Sequence, residues 1–245
     1  DQVAGQLGIQ KNDDNRITAG IDFSLQQIAG NGHCCVPEEM VVAKTAKLLN
    51  VDDENVRLRL KAEITANRLY TEYIGGEQLI YPDYLYFAEK QVAQKLLDLN
   101  NNADSLSLDS AAEITTKWEQ SSNITLAQKQ RESIDAVLQH GVFVLTGGPG
   151  TGKTTVIRGI LAVLQHFGLQ ILLGAPTGRA AKRLTEATGQ RAVTIHRLLE
   201  ATGINYDDEA AFGKDSDEPL DADVIIIDEV SMVDIVLMQH FLNAV

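Results

Sequence analysis

The sequence predicts an α/β protein: a parallel sheet covered by helices in the second part of the chain, preceded by a mostly helical domain that contains a β-hairpin. Two observations predict this class. After residue 125, short β-branched apolar runs alternate with segments of helical apolar spacing, which is typical of a parallel sheet with helices on its faces. Before residue 100, segments of helical spacing flank two short strands that are joined by a pair of glycines.

The first helices are predicted in residues 1 to 100. One is expected from Pro37 to Asn50, because a proline followed by two glutamates suits the start of a helix. A second is expected over residues 52 to 69, which begin with acidic residues suited to an N-cap. One face of this second helix carries an apolar row of Val56, Leu60 and Ile64.

A hairpin and a further helix complete this domain. The segment "LYTEYIGGEQLIYP" predicts two strands around Gly75 and Gly76, a pair that accepts positive φ. Apolar residues then recur on one helical face: Leu85, Ala88, Val92, Leu96 and Leu99. Helices followed by a hairpin suggest a winged-helix-like domain. It is either a scaffold that binds nothing or a domain that presents basic residues to DNA, the candidates being Arg57, Arg59, Lys61 and Arg68.

Residues 101 to 124 are predicted to be a linker with a short helix. The boundary segment "LNNNADSLS" is rich in asparagine and serine, which favour turns. A helix is expected from Asp109 to Gln120, and "SSN" follows as a second break.

The second domain, residues 125 to 245, alternates strands and helices. The predicted order is strand "VFVLT", helix "KTTVIRGILAVLQHFG", strand "QILLGA", helix "GRAAKRLTEATG" and strand "DVIIIDE". Ligands of such sheets bind at the carboxyl ends of the strands. A glycine-rich loop and an acidic pair both fall at such strand ends, so the sequence predicts a binding site there.

The glycine-rich loop "GGPGTGKT", Gly147 to Thr154, matches the pattern G-x-x-x-x-G-K-[ST] between a strand and a helix. Its glycines allow the backbone N–H groups to surround phosphate oxygens, and the helix that follows adds its positive N-terminal dipole. Lys153 suits the β and γ phosphates, and the hydroxyl of Thr154 suits Mg²⁺. A purely structural glycine turn is the alternative.

The acidic pair Asp228 and Glu229 ends the apolar run of "DVIIIDEVSMVD". With a phosphate loop in the same domain, Asp228 is expected to hold Mg²⁺ through water, and Glu229 to orient or deprotonate the attacking water. The alternative is an exposed acidic turn. Neither an N-K-x-D guanine reader nor an L-S-G-G-Q signature is present. An ATPase is therefore favoured over a GTPase, and a transporter ATPase is disfavoured.

Four blocks resemble superfamily 1 DNA helicases of the RecD-like group, which are related to the exodeoxyribonuclease V alpha subunit. The blocks are "LTGGPGTGKTT", "APTGRAAKRL", "TIHRLL" and "VIIIDEVSMVD", and "LAQKQ", with Leu126 and Gln130, resembles the short motif that precedes the loop in these helicases. Pif-type and Dda-type helicases share some blocks but usually carry alanine where Pro149 stands.

This resemblance implies a RecA-like P-loop NTPase domain, incomplete at its C-terminus, and specific residue roles. Lys153, Asp228 and Glu229 would be catalytic, with Thr154 and Asp228 at the metal. Gln130 would read adenine, and the phosphates would meet Gly147, Gly148, Pro149, Gly150, Thr151, Gly152, Lys153, Thr154 and Thr155. DNA would be contacted by Thr177, Arg179 and His196. A surface ion pair for Arg179 and a core position for His196 are the alternatives.

The implied activity is ATP-dependent 5′ to 3′ translocation on single-stranded DNA, with unwinding of duplex junctions in DNA repair or recombination. Implied cofactors are ATP and Mg²⁺, and a monomer that meets other repair proteins is expected. The chain begins at Asp1 and ends before a second motor domain, so we expect a piece of a longer protein that turns over ATP poorly by itself. Alternatives are a nucleotide-gated DNA- or protein-binding module and an RNA helicase.

The charge and cysteine content set further expectations. The net charge is −13, yet residues 126 to 202 carry nine basic and four acidic side chains, leaving +5, while residues 203 to 223 carry eight acids and Lys214, leaving −7. A local basic surface is therefore compatible with DNA binding, and the acidic stretch 205 to 223 is expected to be a surface loop. The adjacent Cys34 and Cys35 favour a reducing, cytoplasmic location over a disulfide framework or a metal site.

Overall fold

The computed structural model describes residue 8 and residues 10 to 103, 106 to 202 and 212 to 245. It divides the chain into two compact units, Asp1–Gln91 and Val92–Val245. The predicted combination of helices with a small parallel sheet is confirmed. This division does not test the domain boundaries predicted at residues 100 and 124, which therefore remain a prediction. No helix in the described part of the chain has the length and apolar character needed to cross a membrane.

The first unit contains helices, a short strand and a hairpin. Its elements are α1 (Asp14–Ala29), β1 (Val36–Pro37), α2 (Glu38–Leu49), α3 (Asp53–Thr65), β2 (Leu69–Ile74), β3 (Glu77–Pro82) and the first part of α4 (Asp83–Asn102). The strands form an antiparallel sheet in the order β1-β3-β2. The predicted helices and hairpin are confirmed, and Gly75 and Gly76 form the turn with φ of 63° and 88°.

Helix α1 was not predicted, although the sequence carries its signals. Asp13 caps the helix by accepting hydrogen bonds from the backbone N–H groups of Asn15 and Arg16. Its apolar residues recur every three or four positions and are buried, namely Ile17, Ile21, Leu25 and Ile28. They pack with α2 and α3 in one apolar core.

A buried carboxylate joins α1, α3 and the start of the hairpin. The Glu63 side chain is only 3% exposed. It accepts a hydrogen bond from the Thr18 hydroxyl at 2.9 Å, pairs with Arg59 at 2.7 Å and also pairs with Arg68. Burial raises the pKa of Glu63, but hydrogen bonds from Arg68 and Thr18 and the charges of both arginines outweigh burial, so its pKa lies below the ordinary 4.5.

We expect Glu63→Gln to weaken the acid dependence of the first unit. A carboxyl whose pKa is lowered by folding contributes stability above its unfolded pKa, and that stability is lost as the pH falls through the lower folded value. The variant should therefore lose about 1 to 3 kcal/mol of unfolding free energy at pH 7 and show a flatter stability curve below pH 4.5. Urea unfolding at several pH values measures both effects.

The two units carry separate spectroscopic reporters for this measurement. The single tryptophan, Trp118, lies in the second unit, and five of the six tyrosines lie between residues 70 and 86 of the first. Tyrosine near-ultraviolet dichroism should change with Glu63→Gln, while the Trp118 fluorescence transition should not. Parallel pH curves for wild type and variant would argue against the pKa shift.

The second unit contains the parallel sheet. Beyond the end of α4, its elements are α5 (Leu108–Ser122), α6 (Gln128–Val137), α7 (Lys153–His166), β4 (Ile171–Ala175), α8 (Gly178–Thr188), β5 (Ala192–Thr194), α9 (Ile195–Leu198), β6 (Val224–Ile227), a 3₁₀ turn (Val230–Met232) and α10 (Ile235–Asn243). The strand order is β5-β4-β6, and both pairings are parallel. The predicted second and third strands and the helices after the glycine loop and after β4 are confirmed.

Helices cover both faces of this sheet, as the alternating contacts of the β6 side chains show. Along β6, Ile226 packs with Ile157 and Leu161 of α7, whereas its neighbours Ile225 and Ile227 pack in a separate cluster with α10. Successive side chains of a strand point to opposite faces, so this alternation assigns α7 and α10 to opposite sides. Helix α8 joins the α7 side through Leu184.

The predicted strand "VFVLT", residues 142 to 146, is a wrong prediction. The segment has no strand conformation, and no described strand pairs with the free edge of β6. Its composition favours a strand, but strand propensity acts only through pairing with a neighbour. The Val142 N–H instead donates to the Asn100 side chain at 3.4 Å, and the Val144 side chain is 72% exposed.

Candidate nucleotide and DNA site

The carboxyl ends of the three parallel strands lie in one row. Ala175 at the end of β4 stands opposite Thr194 of β5, and Gly174 stands opposite Ile227 of β6. Asp228 directly follows β6 and therefore lies beside Ala175. Its N–H donates to the Gly174 carbonyl at 2.9 Å. Neighbouring strands are about 4.8 Å apart, so groups on the three strand ends lie within roughly 10 Å of one another.

The glycine loop lies at the same edge of the sheet. Helix α7 starts at Lys153, directly after the loop, and reaches β4 through the four residues that follow His166. A helix that packs on a strand and connects to its start through so short a turn runs antiparallel to it. Ile157 and Leu161 of α7 pack with Leu173 of β4. The N-terminus of α7 therefore lies at the carboxyl edge, which also carries Asp228.

The loop closes on its own carbonyl groups. Lys153 Nζ donates to the carbonyls of Gly147 and Gly148 at 2.7 and 2.9 Å, and the Thr151 hydroxyl donates to Gly148 at 2.9 Å. Gly152 precedes the helix with φ of 84°, a conformation that side chains disfavour. The ammonium group is held against the loop backbone, as a phosphate cradle requires, and the helix N-terminus adds unpaired N–H donors.

Gln130, expected to read adenine, contacts the loop itself. Its Nε2 donates to the Thr151 carbonyl at 3.1 Å, while its Oε1 accepts from the Ala127 N–H at 2.9 Å. A Cβ on Gly152 would lie 2.6 Å from that Nε2, so a side chain there would displace the Gln130 amide in addition to straining the backbone at φ of 84°. The structure therefore brings together Gln130 and the phosphate loop, and the role of Gln130 in reading adenine stays a prediction.

The acidic pair directly follows β6, with Glu229 exposed and Asp228 half-buried. Asp228 accepts the Glu229 N–H on Oδ1 at 2.9 Å, and within the described chain neither carboxylate forms an ion pair. A cation could therefore bind there without displacing a lysine or arginine. Glu229 has φ of 55° and ψ of 38°, a left-handed conformation that is uncommon for a residue with a side chain.

The residues fit a magnesium ion bound with phosphates. Thr154 offers a hydroxyl in the first turn of α7, and Asp228 offers a carboxylate at the same sheet edge. Mg²⁺ usually takes one or two protein oxygens and completes its shell with phosphates and water. In the described ranges no three histidine, cysteine or acidic residues cluster as metal ligands.

The predicted DNA residues follow β4 and β5. Thr177 caps α8 by accepting the Ala180 N–H at 3.2 Å, which leaves its hydroxyl proton available to a phosphate. Arg179 is exposed and has no ion pair within the described residues, so the ion-pair alternative is not observed. His196 is exposed too, which excludes the core alternative.

Sequence reasoning missed Thr194. Its hydroxyl accepts the Arg197 N–H at 3.2 Å and caps α9. Thr194 lies at the end of β5, much as Thr177 lies just after β4. Both threonines directly precede a helix in the sequence. This repeated signal, a threonine between a strand and a helix start, was available in "APTGR" and "TIHRL".

The basic residues of α3 are mostly neutralised. Arg57 pairs with Glu38 and Glu39, and Arg59 pairs with Glu63. Arg68, just beyond the helix, also pairs with Glu63. These pairs favour the earlier alternative in which the first unit is a scaffold and does not present a basic face to DNA.

The acidic stretch lies partly outside the described residues, since 203 to 211 are not among them. In its described part, Asp215 accepts the N–H groups of Glu218 and Asp217, and these bonds lower the pKa of its carboxyl. Asp223 accepts the Gln170 N–H at 2.7 Å and thereby ties the stretch to the start of β4. Its predicted role as a surface loop stays a prediction.

Comparisons with known proteins agree with the motif order. A family model described as an AAA domain matches residues 130 to 245. The ATP-dependent RecD2 DNA helicase of Deinococcus radiodurans is 32% identical over 244 residues, covering 95% of this chain and 33% of that protein. The RecBCD enzyme subunit RecD of Mycolicibacterium smegmatis is 39% identical over 48% of this chain and 25% of its own length.

A third relative is the ATP-dependent DNA helicase dda of phage T4. It is 34% identical over 128 residues, which cover 50% of this chain and 29% of that protein. The chain thus spans a third or less of the length of each of these three relatives.

Proposed function

Since the chain belongs to the RecD-like superfamily 1 helicases, we propose that its second unit is the ATP-binding part of an ATP-dependent DNA helicase. What supports this proposal is that the glycine loop, from the connection and packing of α7, and the Asp228–Glu229 pair, from the register of β6, fall at the same edge of the sheet. The two features are more than 70 residues apart in the sequence, and their convergence is what an ATP hydrolase needs.

Each site residue then has a defined task. The loop N–H groups and Lys153 hold the β and γ phosphates, and Gln130 recognises adenine. Thr154 and Asp228 hold Mg²⁺, which when bound neutralises phosphate charge. Glu229 orients the attacking water and accepts its proton.

Single-stranded DNA is proposed to cross the carboxyl edge of β4 and β5. The hydroxyl of Thr177 and the guanidinium of Arg179 contact the phosphate backbone, and His196 contacts DNA beside β5. The excess of basic residues from 126 to 202 supports this path despite the net charge of −13. Translocation from 5′ to 3′ and unwinding of duplex junctions are the proposed outcome in the full-length protein.

We expect Arg179→Ala to weaken binding of single-stranded DNA about equally for all sequences. Removing one phosphate contact should lower the slope of log affinity against log salt by roughly 0.7. Fluorescence anisotropy with labelled oligonucleotides at several salt concentrations measures this slope. Arg158→Ala is the control, because Arg158 is also exposed but lies on α7, away from the predicted path. An unchanged slope for Arg179→Ala would remove this residue from the DNA path.

The experiment that tests the proposed function uses the full-length protein. We expect ATP turnover to rise on addition of single-stranded DNA, and duplexes with 5′ single-stranded tails to be unwound in preference to those with 3′ tails. Competition by RNA of equal length tests the RNA alternative. ATP binding that alters DNA or protein affinity without turnover would instead support the nucleotide-gated binding module.

The extent of similarity favours the RecD-like assignment over the Dda-type alternative. The RecD2 relative matches 95% of the chain, including the first unit, whereas the phage T4 relative matches half of it. We also propose that the first unit is winged-helix-like, supported by its order of helix, strand, two helices and hairpin. We further propose that the protein is a monomer and acts in DNA repair in the cytoplasm. The 245 residues alone are proposed to turn over ATP slowly.

A further inference from the structure

A buried carboxylate lies behind the segment that carries Gln130. Glu119, near the end of α5, is only 6% exposed. One of its oxygens accepts the Leu126 N–H at 2.6 Å, and the other pairs with Arg131. A buried carboxylate is costly unless it is paired and hydrogen-bonded. Both partners of Glu119 belong to the segment around Gln130, so this carboxylate binds that segment to α5.

The same segment contacts the phosphate loop. Gln130 lies one residue before Arg131 in the first turn of α6, where its Oε1 accepts the Ala127 N–H. Its Nε2 donates to the Thr151 carbonyl of the loop. Glu119 is thus linked to Thr151 through the backbone of this turn, with the Arg131 ion pair on one side and the Gln130 hydrogen bond on the other.

Helices α5, α6 and α7 pack together around Gly159. Gly159 of α7 lies so near its neighbours that a Cβ would be 2.7 Å from Ile134 of α6 and 3.3 Å from Trp118 of α5. Trp118 directly precedes Glu119 in the sequence. The Glu119 carboxylate thus lies on a helix packed against α6 and α7, and its contacts join that packing to the turn that carries Gln130.

We infer that Glu119 is a positioning residue for recognition of the nucleotide base. It holds the first turn of α6 so that the Gln130 amide stays between the loop carbonyl and the adenine edge. This inference rests on the proposed function of the loop as an ATP site. Glu119 contacts neither the loop nor the nucleotide, and no motif in the sequence distinguishes it from other helix glutamates.

The test compares base-dependent with phosphate-dependent binding in the full-length protein. Glu119→Gln keeps the size and one acceptor but removes the charge that holds Arg131, and Arg131→Met removes the same pair from the other side. Both variants should bind ATP about tenfold more weakly, as expected for the loss of roughly one hydrogen bond. Their affinity for inorganic tripolyphosphate should change by less than about twofold, since the loop itself is intact.

A double-mutant cycle and a matched control sharpen this test. In a Gln130→Ala background, Glu119→Gln should cause no further loss of ATP affinity, because both changes act through the same amide. Glu113→Gln is the control: it lies on the same helix in an exposed pair with Lys117 and should leave both affinities unchanged.

The outcomes separate this inference from the proposed function. Equal losses for ATP and tripolyphosphate, additive effects with Gln130→Ala, or unchanged ATP affinity in both variants would each overturn the positioning role. If Glu119→Gln does not fold, Arg131→Met decides. If Lys153→Ala binds ATP as tightly as the wild type, the proposed function is overturned, and this inference with it.

Discussion

Replacing Lys153 with alanine is expected to lower ATP turnover of the full-length protein by roughly 10²- to 10³-fold, the usual effect of removing one positioned donor from developing charge. The Lys153 ammonium already lies against the carbonyls of Gly147 and Gly148, at the position where phosphates would enter. The variant should also bind ATP more weakly, because the cation contributes to ground-state binding. Steady-state turnover with saturating single-stranded DNA measures the first effect, and ATP titration measures the second.

The control for this variant is Lys117→Ala. The Lys117 side chain is 70% exposed and pairs with Glu113 on α5, so its removal should change neither turnover nor affinity. Thermal unfolding should be similar in both variants, since Lys153 contacts only the surface loop. Turnover of Lys153→Ala within threefold of wild type would contradict the assignment of the phosphate site.

Glu229→Gln is expected to abolish most turnover while ATP binding persists. Loss of a general base typically costs roughly 10²- to 10⁴-fold in rate. Glutamine keeps the length of the side chain and meets the same backbone constraint at φ of 55°, so the substitution tests the charge alone. Rapid-quench measurement of a single turnover, together with ATP affinity, separates the chemical step from binding.

The structure provides a closely matched control, Glu200→Gln. Glu200 is an exposed glutamate of the same unit with φ of 53°, but it lies beyond α9 and outside the acidic pair. Its replacement should leave turnover unchanged. Similar losses in both variants would indicate that the backbone conformation, and not the carboxylate of Glu229, limits the reaction.

Much of the fold followed from local signals that the structure retains. The Gly75–Gly76 turn, the Asn50 residue that ends α2 in a left-handed conformation, and the helix starts at Lys153 and Gly178 each depend on neighbouring residues only. The phosphate loop and the acidic pair were likewise recognisable, because their chemistry requires fixed residue types at fixed spacing.

Features that depend on contacts between residues far apart in the sequence could not be predicted. The segment 142 to 146 has strand composition, yet its first N–H donates to Asn100, 42 residues earlier. The Glu119 pair with Arg131 and the Glu63 cluster depend on how helices pack, which no periodicity encodes. The exposure of Arg179 and His196 also required the structure, since a basic residue near a strand end can be paired, buried or free.

The aligned ends of β4, β5 and β6 make the catalytic geometry sensitive to single-residue insertions and deletions. One residue added within β6 would displace Asp228 by about 3.3 Å along the strand and turn its carboxylate to the opposite face. The same slip would move Ile226 from the α7 face to the α10 face and its neighbours Ile225 and Ile227 the opposite way, so core packing and catalytic alignment would fail together. The site is therefore more sensitive to changes in the length of this strand than to substitutions that preserve its apolar side chains.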